Sequence, residues 1–117
     1  VVSAPVAARM ALGAAAASGS DIAVSVTGVA GPTGGDEVRP VGTVYLGAAR
    51  GDTVYVQKLF VSRPDRALVR ARAAQAALAL ALRLAQGKVP AHTKPLAASE
   101  QHSAAALDAL NEAFLAE

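Results

Sequence analysis

Asp21-Ile-Ala-Val-Ser-Val-Thr27 runs directly into Gly28-Val-Ala-Gly-Pro-Thr-Gly-Gly-Asp-Glu-Val-Arg-Pro-Val-Gly42. In the first stretch Ile22, Val24 and Val26 alternate with Ala23, Ser25 and Thr27. This is the period-2 pattern of a strand whose successive side chains point to opposite faces. One of those faces carries only small groups, so another element is expected to pack closely on it. The second stretch holds five glycines and two prolines in fifteen residues, a density at which neither helix nor strand persists. A long loop is therefore expected, and loops of this length in compact domains are usually functional or disordered.

Working outward, the segment from Val1 to Ser18 reads as a helix. Ser3 is a suitable N-cap, Pro5 fits the first turn, and Val6, Met10 and Ala14, with Ala7 and Leu12 beside them, keep helical spacing. Gly19 and Ser20 end it. On the other side of the loop, Thr43–Ala49 and Thr53–Val61 are rich in β-forming residues, and Arg50-Gly51-Asp52 supplies the turn of an antiparallel hairpin. Pro64-Asp65 then opens a long helix to about Gln86, with Gly87 as its stop. At about 100° per residue, Val69, Leu80 and Leu84 fall on one side and Leu78 and Leu82 on another, which predicts burial on more than one flank. Lys88–Ala98, with Pro90 and Pro95, reads as a linker. Ser99 is the expected cap of a last amphipathic helix carrying Ala104, Leu107, Leu110 and Phe114 on one stripe. The fold class predicted is α/β in three α/β/α layers, with a sheet that includes residues 21–27 and a hairpin from 43 to 61. Residues 1–87 form the domain, and 88–117 are linker and C-terminal helix.

Composition narrows the function classes. A chain of 117 residues is one domain's worth. A hydrophobic fraction of 53% excludes disorder over the main body, and the absence of any uninterrupted apolar run of about 18 residues excludes a membrane-spanning helix. Aromatic residues are only 3%, too few for the stacking platforms of single-strand nucleic-acid binders. Eleven basic against nine acidic residues leave +2, and only Arg63 to Arg72 resemble a basic cluster, so neither nucleic acid nor a membrane is an expected partner. With no cysteine there is no disulfide, thiolate metal site or cysteine nucleophile, which fits a cytoplasmic location. His92 and His102 are too few for a metal cluster. The chain opens Val-Val-Ser without methionine, so it is expected to be a piece of a longer product or a processed form.

Only the glycine loop asks for a chemical explanation. Glycines permit positive φ and close ligand approach, so Thr27-Gly28 leading into Gly31-Pro32 and Gly34-Gly35 can present backbone N–H groups to a phosphate or oxyanion. It is neither a Walker A loop nor a G-x-G-x-x-G turn opening a helix, because a hairpin follows. The plain alternative is a glycine-rich surface loop. Arg66 and Arg70, four apart at a helix start, share one face that could meet a phosphate from the same or another subunit, or could simply be solvated. Asp36 and Glu37 are adjacent in a loop and hold no fixed separation, which suits solubility better than paired-carboxylate chemistry. Ser25, Ser62 and Lys58 are the available hydroxyls and amine near these elements, yet no sequence feature brings a serine and a lysine together.

Thr27-Gly-Val-Ala-Gly-Pro-Thr-Gly-Gly-Asp36, followed by Pro40-Val-Gly-Thr-Val-Tyr45, resembles the signature of the CinA C-terminal domain family, the competence/damage-inducible proteins and nicotinamide-nucleotide amidohydrolases. The likeness continues more loosely through Phe60, Asp65-Arg66 and Val69-Arg70, and Val2-Ser3 to Met10 resembles the helix before the family's strand. Residues 1–86 are covered, and Lys88–Glu117 match nothing in the family's pattern. The resemblance implies a CinA C-terminal-like three-layer domain that hydrolyses the carboxamide of nicotinamide mononucleotide, with no metal and no other cofactor. It implies substrate binding by Thr27, Gly28, Ala30, Gly31, Gly34, Gly35, Arg66 and Arg70. The family's nucleophilic serine lies in a Glu-Ser-Cys-Thr-Gly-Gly type motif and its lysine in a Tyr-Ser-Asn-x-x-Lys type segment. Neither occurs in these 117 residues, so the catalytic residues are unknown and the N-terminal part of the domain is expected to be missing. A sheet edge and part of the long helix would then be bare, and a homo-oligomer is expected. Two classes stay open: an amidohydrolase of pyridine-nucleotide salvage, and a non-catalytic remnant that binds nucleotide or a partner.

Overall fold

The computed structural model describes residues 2–29, 35, 40–62 and 65–116. Ser3 starts the first helix, α1 (Ala4–Ser18), by accepting a hydrogen bond from the Val6 N–H at 3.3 Å, with Pro5 in the first turn. Gly19 ends it with φ of 69°, and the Gly19 N–H donates to the Ala15 carbonyl. β1 (Ile22–Gly28), β2 (Thr43–Arg50) and β3 (Thr53–Phe60) follow, with β2 and β3 joined by a two-residue turn in which Gly51 takes a φ of 62°. Asp65 then caps α2 (Arg66–Ala85) by accepting from the Leu68 N–H at 2.9 Å. The chain closes with β4 (Lys94–Ala97), a short 3-10 turn and α3 (Ala104–Leu115).

The four strands form one antiparallel sheet in the order β1-β2-β3-β4, with Ser25 opposite Gly47 and Gly47 opposite Val56. That register sorts the side chains. Tyr45, Ala49, Val54, Val56 and Leu96 face one way and pack with Ala4, Ala7, Ala8, Ala11 and Leu12 of α1 and Leu110 and Phe114 of α3. Val44, Leu46 and Ala48 face the other way, against Val69, Ala73, Ala77, Leu80 and Leu84 of α2. The sheet is therefore the middle of three layers, as the alternation and the amphipathic helices predict.

Three expectations change. Within the stretch read as a linker, Lys94–Ala97 pairs with Thr53–Val56 of β3, because Leu96 has a core position to fill beside Val54. The cap of the last helix is Ser103, not Ser99: the Ser103 Oγ accepts from the Ala106 N–H at 3.2 Å, while Ser99 lies in the 3-10 turn. Finally, α2 is not buried on two flanks. Leu78 and Leu82 are 72% and 58% exposed, since a four-stranded sheet offers the helix one surface only.

The face of small residues on β1 is closed as expected. The Ser25 hydroxyl, buried, donates to the Ala7 carbonyl oxygen at 2.6 Å. Beside it, a Cβ added at Gly47 would stand 2.5 Å from that same carbonyl, so glycine is what allows α1 to lie on the sheet backbone.

Candidate functional site

The loop predicted to be functional springs from a pinned base. The Val29 N–H donates to the Thr43 carbonyl at 2.8 Å and the Gly42 N–H to the Val29 carbonyl at 2.7 Å, holding the two ends of the loop together. Pro40 closes the return, its carbonyl accepting from the Thr43 N–H at 3.0 Å and the Thr43 hydroxyl at 2.7 Å. Two glycines of the predicted site are needed sterically. A Cβ at Gly28 would meet the Thr43 carbonyl oxygen at 2.9 Å, and one at Gly35 would meet the Val41 nitrogen at 2.5 Å.

Next to this base lies a groove of about 370 Å³, lined by Val26, Gly28, Val44, Val69, Arg70, Ala73 and Ala74. It unites two residues singled out from sequence, Gly28 and Arg70, across the gap between β1 and α2. Arg66 stands one turn before Arg70 on the same exposed helix face. Gly35 is exposed at the loop base. Thr27 belongs to the same strand end, but its side chain stands on the α1 face, opposite Tyr45. Ala30, Gly31 and Gly34 lie outside the described residues. The floor of Val44, Val69 and Ala73 was not singled out as site; the only sequence signal was their place on the core faces of β2 and α2. The start of α2 adds the positive end of a 20-residue helix dipole to the two guanidinium groups. An apolar floor, a cationic rim and a glycine backbone edge suit a planar ring attached to a phosphate.

The other candidates are elsewhere or otherwise employed. Ser25 is tied to Ala7 beneath α1. Lys58 places its Nζ 6.0 Å from the Tyr45 ring centroid, a cation–π position, and β2 separates its strand from that of Ser25. Ser62, His92 and His102 are exposed. Asp36 and Glu37 lie outside the described residues. Among the described residues no group of three or more His, Cys, Asp or Glu is placed to hold a metal ion, and no helix is long and apolar enough to cross a membrane. A larger open cleft, about 600 Å³, lies away from the loop among Leu12, Ala16, Asp21, Arg50 and Gln101. The Arg50 guanidinium donates to the Leu84 carbonyl at the end of α2, so this cation is engaged structurally.

Comparison with known proteins converges on one family. Residues 1–85 match the model of the CinA C-terminal domain. A CinA-like protein of Geobacter sp. (strain M21) is 54% identical over 69 residues, 59% of this chain and 16% of that protein. Among solved structures, the competence/damage inducible protein CihA from Agrobacterium tumefaciens superposes with a TM-score of 0.69 at 36% identity, covering 73% of this chain and 52% of that one. A competence-damaged protein (CinA) superfamily protein from Escherichia coli gives 0.65 at 36% identity, covering 71% and 48%. The chain thus spans about half the length of these solved relatives and about a sixth of the Geobacter protein, and its last 32 residues, β4 and α3 among them, lie beyond the family match. Strand, pinned glycine loop, hairpin and α2 all fall inside the matched region, and the chain belongs to the CinA C-terminal domain family.

Proposed function

We propose that this chain carries the nucleotide-binding half of an amidohydrolase that acts on nicotinamide mononucleotide. The reaction adds water across the carboxamide C–N bond, giving the carboxylate of nicotinic acid mononucleotide and ammonia. The observation that carries the reading is the groove in which Gly28 meets Arg70, inside the region matching the family. In it the 5′-phosphate is held by Arg70 and Arg66 at the start of α2, and the pyridine ring lies over Val44 and Ala73. Gly28 and Gly35, at the base of the loop, are the described glycines from which backbone N–H donors would reach the phosphate or the carboxamide oxygen. No residue of the chain is assigned as nucleophile, since the family's serine and lysine motifs are absent from its 117 residues. That absence favours a second reading for the chain in isolation: it binds nucleotide without turning it over.

Titration calorimetry with nicotinamide mononucleotide and with its acid product tests binding. Saturable heat is expected from both, weakened about 10- to 100-fold by Arg70→Ala, the worth of a lost charge-assisted hydrogen bond. No heat at millimolar nucleotide overturns the proposal. Ammonia release by the chain alone is expected at background, because a hydrolase without its nucleophile loses on the order of a million-fold. Turnover abolished by Ser25→Ala or Lys58→Ala would instead assign a resident catalytic pair.

A further inference from the structure

We propose that Thr43 is a positioning residue of the nucleotide groove: it touches no ligand, and its buried hydroxyl and backbone hold both ends of the glycine loop in the arrangement that receives the phosphate. The inference rests on the nucleotide reading above and adds a residue to it. Thr43 is 0% exposed, so its hydroxyl cannot reach a bound nucleotide and must find its partner inside the protein. The other buried hydroxyl among the described residues, that of Ser25, is spent on seating α1 against the sheet.

Every polar group of Thr43 is engaged with the loop. Its carbonyl accepts from the Val29 N–H at 2.8 Å, where the chain leaves β1. Its N–H and its hydroxyl both donate to the Pro40 carbonyl, at 3.0 and 2.7 Å, where the chain comes back. Between Pro40 and Thr43 the backbone turns with Gly42 at a φ of 100°, and the Gly42 N–H closes on the Val29 carbonyl at 2.7 Å. Thr43 is thus bonded to both arms of the loop at once.

The hold reaches the ligand side by two routes. On the outgoing arm Gly28 pairs with Val44, and a Cβ on Gly28 would stand 2.9 Å from the Thr43 carbonyl oxygen. That contact sets how closely the Gly28 edge lies to the groove floor at Val44. On the return arm Gly35 lies against Pro40 and Val41, where an added Cβ would be 2.5 Å from the Val41 nitrogen and 3.1 Å from the Pro40 carbonyl carbon. A shift of Pro40 therefore carries Gly35 with it, and Gly35 is one of the two backbone donors given to the nucleotide. The hydroxyl is the one part of Thr43 that the strand does not need. Valine has the same branched shape and suits a strand as well, and with valine the Pro40 carbonyl would still accept from the backbone N–H of position 43. A hydroxyl buried there for a single bond to a loop carbonyl points to loop placement, not to core packing.

Titration calorimetry with nicotinamide mononucleotide and amide exchange, on the wild-type chain, Thr43→Val and Thr43→Ser, test this. Thr43→Val is expected to weaken the nucleotide about 3- to 10-fold, the worth of one hydrogen bond. Exchange at the Val29 and Gly42 amides should quicken by a similar factor, beyond any change at the amides of α1. Thr43→Ser, which keeps the hydroxyl, should return both readouts to wild-type values. Gly35→Ala should weaken binding by itself and leave Thr43→Val little to add, since both displace the same arm. Unchanged affinity in folded Thr43→Val overturns the proposal, as does a loss that Thr43→Ser does not restore, or losses from Gly35→Ala and Thr43→Val that simply add. If the wild-type chain gives no heat with the nucleotide, the nucleotide reading falls. Exchange at Val29 and Gly42 then decides on Thr43 alone, and exchange that Thr43→Val leaves unchanged overturns its hold on the loop.

Discussion

On its α1 side the sheet is covered by two helices and the contact is backbone-close: the Ser25 hydroxyl reaches the Ala7 carbonyl, Gly47 lies beneath that same carbonyl, and four alanines of α1 are fully buried. On its α2 side one longer helix covers β1 and β2, yet Val24, Val26, Leu78 and Leu82 remain in solvent. The side chains left in solvent on the α2 side are branched aliphatics, whereas the close approach on the α1 side is made by alanine and glycine. Small residues seal a layer because they let backbones approach, whereas branched residues need neighbours wide enough to surround them. The α1 face is covered by α1 and α3, whereas on the α2 side Val24 and Val26 of the outer strand stay exposed.

Substitutions on the two faces should therefore differ in cost. The largest effect is expected at Phe114, 2% exposed, which meets Tyr45 edge to face at 5.7 Å between centroids and takes the Lys94 ammonium at 5.2 Å. Phe114→Ala should lower stability to urea by about 3–5 kcal/mol. It should also release β4 and α3, seen as lost amide protection there. A smaller loss of about 1–3 kcal/mol is expected from Gly47→Ala, whose new methyl must push α1 off the sheet. An unchanged urea midpoint would show that the α1 layer is not backbone-close. The smallest effect belongs to the other face. Leu82→Gln, at a position 58% exposed, should stay within about 0.5 kcal/mol. A loss of 2 kcal/mol or more, of the kind buried leucines give, would erase the contrast between the faces.

Much of this was legible in the chain itself. The cap Ser3, the Gly19 stop, the opening of α2 at Asp65 and the glycine of the β2–β3 turn are local chemistry, set within three or four residues, and each lies where the pattern puts it. The glycine loop was legible by composition, and Gly28 and Arg70 by their place in the family signature. Ser103 and β4 were not. Several serines can cap a helix, and only packing selects among them. Four residues containing a proline become a strand only because β3 has an open edge to pair with. The outer leucines of α2 misled for a related reason, since periodicity reports what a helix could bury and not what is available to bury it.

By itself, then, the order of residues determined the bounds of α1, the β2–β3 hairpin and α2, the alternation of β1, the position of the glycine loop and the family, because these depend on backbone preference and short-range spacing. Only the tertiary structure decided that α1 is the element that closes the small-residue face of β1. Only it drew Gly28 and Arg70, about forty residues apart, into one groove, and left Val24 and Val26 on an open edge. Those outcomes follow from strand order and from the number of layers stacked on each side of the sheet, and neither is encoded in any single stretch of chain.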